Sequence, residues 1–430
     1  MTSSDTPRSD VRMRGFLSRT PVDAAIDWVD RHATPRSGES VPLADACGRV
    51  LAEPVKAATN VPAFPRSAMD GFAIRAEETI GATEYNPLAF RVVGESLPGI
   101  GTERRLQSGE AIRIMTGAPL PAGADAVVPA EHARQRGDQV ELCATVASGK
   151  HVGQIGEDIA AGTTVLPEGR RLRPQDVGVA ASLGIATLSV VRRPVVRLLI
   201  TGNELAQPGQ TLAPFQIYEA NSYMLRGLIE RDGAELESVR HLRDDRESIH
   251  AHLCEPGADL IVVSGGTSVG QEDFVPGLVA EIGELPIHGI AMRPSSPTGL
   301  GRIGATLVAL LPGNPVSCLC AYDFFAGRAL RRLGGRSVDW PHRRLIAPLT
   351  RKLVSEIGRT DYCRVRVTRD GVEPLALSGA AILSSTTRSD GFVIVAENSE
   401  GLPAGGSVTV FLYDDSVDHC DTGETARPAE

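Results

Sequence analysis

Three apolar runs in the second half of the chain, VVRLLI, DLIVV and ATLVALL, each break off into a loop that joins glycine to polar residues. The loops read TGNEL (201–205), SGGTSVG (264–270) and LPGNPVS (311–317). Short continuous apolar runs suit strands buried on both faces of a parallel sheet. The segments between them read as a helix from Asn221 to Gly233, a strand ELESVRHL, and a helix capped by Asp244 and running through Leu253. After the last loop a helix is predicted from Pro315 to about Leu333. Strands alternating with helices of this length imply βαβ units. Such sheets bind ligands beyond the carboxyl ends of their strands, so the three loops are expected to converge on one edge.

The middle loop carries the most chemistry. Gly265 and Gly266 let the backbone turn sharply and approach a ligand closely. Ser264, Thr267 and Ser268 add hydroxyls, and exposed N–H groups at such a turn favour an anion. Glu272 and Asp273 then place carboxylates within reach. The expectation is a phosphate or oxyanion with a divalent cation beside it. A plain tight turn followed by surface acids would give the same local pattern. The coincidence of three such loops in one sheet is what favours a site.

At 430 residues the chain is long enough for roughly two to four domains. Apolar residues make up 42% and charged residues 23%, ordinary for a globular protein. A net charge of -9 argues against a nucleic-acid partner. The seven cysteines are scattered and form no CxxC pair, which argues against a disulfide framework or structural zinc and fits a reducing cytoplasm. No apolar leader and no transmembrane run stand out.

Ahead of the sheet, residues 1–19 read as a mobile tail, and Thr20-Pro21 as the cap and first position of a helix carrying Val22, Ala25, Ile26 and Val29. A second short helix is expected around Leu43 to Gly48. From about residue 57 to 160, frequent prolines and glycines with short apolar runs predict a β-rich module. Arg173-Pro174 should start a helix ending near Gly184. Beyond Trp340, alternating runs such as DYCRVRVT and SVTVFLY predict a small β module, with a disordered tail at 418–430.

Eight pieces in register carry a family resemblance: SAMDGFAIR, RIMTGAPLPAGADAVV, GEDI, TGNEL, IYEANSYML, SGGTSVGQEDF, LPGNPVS and ILSSTTRSDGF. The chain resembles the MoeA/gephyrin E-domain family, the molybdenum insertion enzymes of molybdenum cofactor synthesis. The resemblance implies a mixed α/β and β multidomain fold, elongated. It has a parallel-sheet domain of molybdopterin-binding type, a β-rich module and a small C-terminal β-barrel-like domain. Placed on this sequence, the subdomains are 20–56 with 161–192, 57–160, 193–340 and 341–417. It also implies a homodimer whose active site lies in a cleft formed with the partner subunit. There adenylylated molybdopterin receives molybdenum from molybdate and releases AMP, assisted by Mg2+ or another divalent cation.

Matched residue by residue, the resemblance implies catalytic acids at Asp70, Asp158, Glu204, Asp244 and Asp273, with Glu204 and Asp273 on the metal. It implies substrate contacts from Thr116, Ser264, Gly265, Gly266, Ser268, Arg293, Ser296, Pro312, Gly313, Asn314, Ser317, Arg359, Ser384 and Ser385. The sequence departs from the family at three places. An arginine-rich run before GEDI is replaced by His151-Val152-Gly153-Gln154-Ile155, and an acid before the SAMDG stretch is lost. The lysine-bearing KPGKP becomes RPSSP, with Arg293 and Ser296 at the lysine positions. Lysine and arginine are not interchangeable at a tight anion site, so the metal and phosphate side looks kept and the oxyanion side thinned. With Arg293, Arg302 and Arg359 supplying charge, an active transferase is the first reading. The alternative is a diverged dimeric scaffold that binds a protein partner peptide, with weak or no transferase activity.

Overall fold

The computed structural model describes residues 18–267, 273–376 and 379–414. Two compact units emerge, one of residues 39–190 and one of residues 1–38 with 191–430. Ser268, Glu272 and most of both tails, read above from the sequence, lie outside the described residues.

In the larger unit six strands form one sheet: β1 (Val195–Thr201), β2 (Glu235–Leu242), β3 (Leu260–Ser264), β4 (Glu284–His288), β5 (Gly299–Ile303) and β6 (Thr306–Leu311). Their order is β2-β1-β3-β6-β5-β4. The first four are parallel, and β5 runs antiparallel to both of its neighbours. Alternate residues serve two cores. Leu198, Val262 and Ala309 face one, while Leu199, Val263 and Leu310 face the other. The helix Asn221–Arg231 and the helical stretch from Pro315 to Leu333 cover the first face; helices Arg246–Cys254 and Phe274–Ile282 cover the second. Burial on both sides explains why these strands read as unbroken apolar runs. The helix Val22–His32 joins the first core through Val22, Ala25, Trp28 and Val29.

Some local expectations are corrected. Thr20 does not cap the first helix; Pro21 holds the cap position, and Thr20 forms a parallel bridge to Ile290. Asp245, not Asp244, caps the helix Arg246–Cys254, accepting from Ser248 N at 2.8 Å. The short helix near Leu43 is a single 3-10 turn, Leu43–Asp45. The stretch after LPGN is three segments, Pro315–Ala321, a π turn Tyr322–Ala326, and Gly327–Leu333.

The C-terminal strands form a second six-stranded sheet in the same unit. Thr360–Thr368 pairs with Gly391–Val395 and Gly371–Ala376, and Ser407–Leu412 links Gly391–Val395 to Arg344–Pro348. Its edge is the two-residue strand Met292–Arg293, parallel to Thr360–Thr368, with Arg293 opposite Asp361. That pairing ties the RPSSP loop to a sheet that follows it by some seventy residues.

The smaller unit contains a third six-stranded sheet. Its order is Ala126–Pro129, Gly71–Ile74, Glu110–Ile114, Leu88–Ser96, Gln139–Leu142 and Ala133–Arg136. Phe72 and Ile74 pack on one face and Ala73 and Ile112 on the other. A separate core gathers Leu51, Leu166, Leu172 and Ala180, the last on helix Pro174–Ser182. There Asp176, 3% exposed, accepts from the Arg173 N–H at 2.9 Å and from the guanidinium groups of Arg170 and Arg173. These bonds hold its carboxyl well below the usual range, the Arg173 side chain contributing most.

Candidate functional site

At the carboxyl ends of β1, β3 and β6 the three loops do meet. They surround a cavity of about 670 Å³ lined by Thr201, Glu204, Asn221, Asp244, Ser264, Gly265, Gly266, Asp273, Pro312, Gly313 and Asn314. Backbone proximity demands the glycines. A Cβ on Gly265 would lie 2.2 Å from the Thr201 carbonyl oxygen, and its φ of 96° disfavours any L side chain. Gly266, at a φ of 58°, would set its Cβ 2.8 Å from Thr201 Oγ1, whereas at Gly313 the nearest atom, Gly265 Cα at 3.5 Å, is an ordinary contact. Asn221 stitches the loops together, donating from Nδ2 to Ser264 Oγ at 2.9 Å and to the Gly313 carbonyl at 2.7 Å. The N–H of Gly265 and the hydroxyl of Thr267 both donate to the Leu311 carbonyl, at 3.3 and 3.1 Å. Thr201 Oγ1 is buried and lacks a hydrogen-bond partner.

Four acids line this cavity, Glu204, Glu219, Asp244 and Asp273, of which Glu219 is buried and accepts from the Ser222 N–H at 2.7 Å. Asp244 accepts from the Asn203 N–H at 3.2 Å, which fixes it against the TGNEL turn. Asp273 lies close enough to His288 to favour the imidazolium, yet burial wins and pushes His288 below its ordinary value. The neutral ring sits 3.0 Å from the Thr267 carbonyl. Behind the loop, the Cys318 thiol lies 3.6 Å from Ser264 Oγ, and burial pushes it up to about 12, so it is no nucleophile. Among the described residues no three His, Cys, Asp or Glu side chains cluster as a ready metal cage. Glu204 and Asp273 both line the cavity, and Mg2+ is usually held by one or two carboxylates together with substrate phosphates and water.

A second, narrower chamber of about 390 Å³ shares Pro297, Pro312 and Asn314 with the first. It is lined by Arg19, Arg293, Ser295, Ser296, Ser317 and Arg359. Its organiser is Asp361, 0% exposed. This carboxylate takes Arg293 on one oxygen and Arg359 Nε on the other at 3.2 Å, with a further bond from Ser355 Oγ at 2.8 Å. Glu356 pairs with Arg359 Nη1 at 3.0 Å. Ser295 has a φ of 96° and donates to the Ser317 carbonyl at 2.6 Å, pinning the RPSSP loop to the helix that follows LPGN. Arg293 Nε, Arg359 Nη2 and Ser296 Oγ are buried without hydrogen-bond partners. Unmet buried donors cost about 1–3 kcal/mol each, and here all three belong to residues of one chamber wall.

Not every expected residue reaches these cavities. Ala381 and Leu383 line the wider one, but Ser384 and Ser385 line neither. Ser384 is exposed, and Ser385 spends its hydroxyl on the Ile382 carbonyl at 2.6 Å. Arg302 pairs with Glu284 on the sheet edge at 2.9 Å and lines neither cavity. In the smaller unit, Asp70 accepts from both the N–H and the hydroxyl of Thr116 at 2.7 Å, which lowers its pKa. Asp158 is exposed, in the turn whose Asp158 N–H donates to the Val61 carbonyl at 3.1 Å. Sequence reasoning missed Asp361, Asn221 and Thr201 as parts of the site. The strand Thr360–Thr368 is buried only over its first six residues, and Asp361 and Arg364 are both charged within them, so no sequence signal singled out Asp361.

This geometry has known counterparts. Residues 197–332 match the family described as a probable molybdopterin binding domain, which defines the class of the central sheet. Residues 20–184 match the MoeA N-terminal region (domain I and II), and residues 346–413 the MoeA C-terminal region (domain IV). A molybdopterin molybdenumtransferase 2 of Mycobacterium tuberculosis is 41% identical over 337 residues, covering 76% of this chain and 82% of that protein. The molybdopterin molybdenumtransferase of Bacillus subtilis is 31% identical over 404 residues, covering 91% and 94%. The crystal structure of a molybdopterin biosynthesis MoeA protein from Pyrococcus horikoshii superposes with a TM-score of 0.80 at 32% identity, covering 92% of this chain and 100% of that one. The chain belongs to the MoeA family.

Proposed function

We propose that this chain is a molybdopterin molybdenumtransferase of molybdenum cofactor biosynthesis, inserting molybdenum from molybdate into adenylylated molybdopterin with release of AMP. One observation carries the reading: a wide cavity with glycine loops and acids adjoins a narrow one whose arginine and serine donors lack partners. A volume of about 670 Å³ lies within the range of small-molecule sites. The wide cavity takes the pterin nucleotide and the narrow one the tetrahedral oxyanion. Their shared wall of Pro297, Pro312 and Asn314 sets the two ligands side by side, and such proximity lowers the barrier to reaction between them.

The backbone at Gly265, Gly266 and Gly313 lets phosphate oxygens come close, and Asn221 keeps Ser264 and Gly313 in register while they do so. Arg293, Ser296 and Arg359 hold the oxyanion, and Ser317 closes that chamber. Glu204 and Asp273 are the proposed holders of Mg2+. When bound, that ion neutralises phosphate charge at the bond to AMP. Asp70, Thr116 and Asp158 contribute through the homodimer that the family resemblance implies. No described helix is long and apolar enough to cross a membrane, and the six described cysteines are unpaired; we place the protein in the cytoplasm. No observation favours the partner-binding scaffold.

The test is AMP release from adenylylated molybdopterin by the purified chain with and without molybdate. Molybdate-dependent release is expected, reduced at least about 100-fold in Asp273→Asn if the acid supports the reaction electrostatically. Release no faster than the uncatalysed background would remove the proposal.

A further inference from the structure

We infer that Arg19 is a third anion-binding cation of the narrow chamber and supplies its only surplus positive charge among the described lining residues. The inference rests on the oxyanion reading of that chamber and adds a residue to it. Two guanidinium groups, Arg293 and Arg359, enter from the RPSSP loop and the C-terminal sheet. Two carboxylates, Asp361 and Glu356, are paired with them. Two positive charges set against two negative ones leave the inner wall near neutral, though rich in N–H donors. A doubly charged tetrahedral anion bound there would be solvated by donors yet uncompensated in charge. Arg19 lines the same chamber and makes no ion pair with any described residue.

Its position is fixed by backbone rather than by its own side chain. The Thr20 N–H donates to the Gly289 carbonyl at 2.9 Å, and the Ala291 N–H donates to the Thr20 carbonyl at 2.8 Å. These bonds set residue 19 alongside the start of the RPSSP loop. Arg19 is exposed, so it stands at the mouth, where a charge mainly raises the rate of anion capture and makes binding salt-sensitive. It also lies one residue before the matched N-terminal region begins.

Equilibrium dialysis of molybdate against the full-length protein tests this, with Arg19→Gln, Arg19→Lys and Arg359→Gln, at low and at 0.5 M salt. At low salt Arg19→Gln should bind about five-fold more weakly, as expected for one exposed charge. Arg19→Lys should stay near wild type, and the gap should close at high salt with unchanged thermal unfolding. If wild type binds and Arg359→Gln does not, but Arg19→Gln matches wild type at both salt levels, the inference about Arg19 is wrong and the chamber reading stands. If wild type binds no molybdate, or Arg359→Gln binds as well as wild type, the chamber reading itself fails.

Discussion

A single carboxylate determines how the narrow chamber presents its donors. Asp361 uses both oxygens on Arg293 and Arg359, which leaves Arg293 Nε and Arg359 Nη2 unpartnered in the same wall. Asp361→Ala removes the only fully buried charge in that set, and breaking such a group typically costs about 3–5 kcal/mol. Denaturant unfolding should register that loss. Saturating molybdate should restore more stability to the variant than to wild type, because the anion then faces Arg293 without its carboxylate and Arg359 paired with Glu356 alone. Asp176 gives a pH-dependent case. Its carboxyl pKa is depressed in the folded state, so its contribution is present above the unfolded value of about 3.9 and is lost as pH falls below it. Asp176→Asn should therefore be less stable than wild type at pH 7, and the two unfolding curves should approach each other below about pH 4.

At the level of elements, the helical stretch from Pro315 to Leu333 is where local propensity and packing oppose each other. Replacing an interior helix glycine with alanine normally gains about 1 kcal/mol. At Gly327 the added Cβ would lie 2.6 Å from Asp232 Oδ2 and 2.9 Å from the Tyr322 ring. Asp232 is itself buried and bonded to Arg331 at 2.9 Å and Arg231 at 3.0 Å, so it cannot yield cheaply. Overpacking of this kind costs about 1–3 kcal/mol, and it outweighs the propensity gain. Gly327→Ala should lower the unfolding midpoint; a rise would mean that Asp232 moves freely. Nothing in the run PVSCLCAYDFFAGRALRRL announced the π turn, since apolar residues continue through it and both neighbouring segments are helical.

Over the whole molecule, what could be read from the sequence was local. Doubly buried strands show as apolar runs, and glycines beside polar residues show as loops at their ends, so the sheet and the loops that line the wider cavity are legible in the sequence. Asn221, Asp361 and Arg19 were not, because each acts on residues far along the chain: Asn221 on Gly313, Asp361 on Arg293, Arg19 beside Ser296. The error at Asp244 had the opposite cause. Two adjacent aspartates satisfy the same capping pattern; Asp245 accepts from the Ser248 N–H, while Asp244 accepts from the Asn203 N–H. The two units have separate cores. Hydrogen exchange should accordingly show the effect of Asp176→Asn mostly within residues 39–190, and that of Gly327→Ala mostly outside them.

The edge strand Met292–Arg293 has a practical corollary for anyone dividing this protein. Its parallel partner begins at Thr360, so half of the arginine pair comes from a sheet that a fragment ending near Trp340 would not contain. Such a fragment would retain all three glycine turns and the wide cavity's lining apart from Ala381 and Leu383. It would also leave Arg293 facing empty solvent and a bare strand flank open to pairing with a neighbour. Transplanting the central sheet alone into another scaffold would thus move the wide cavity without the arginine pair of the narrow one.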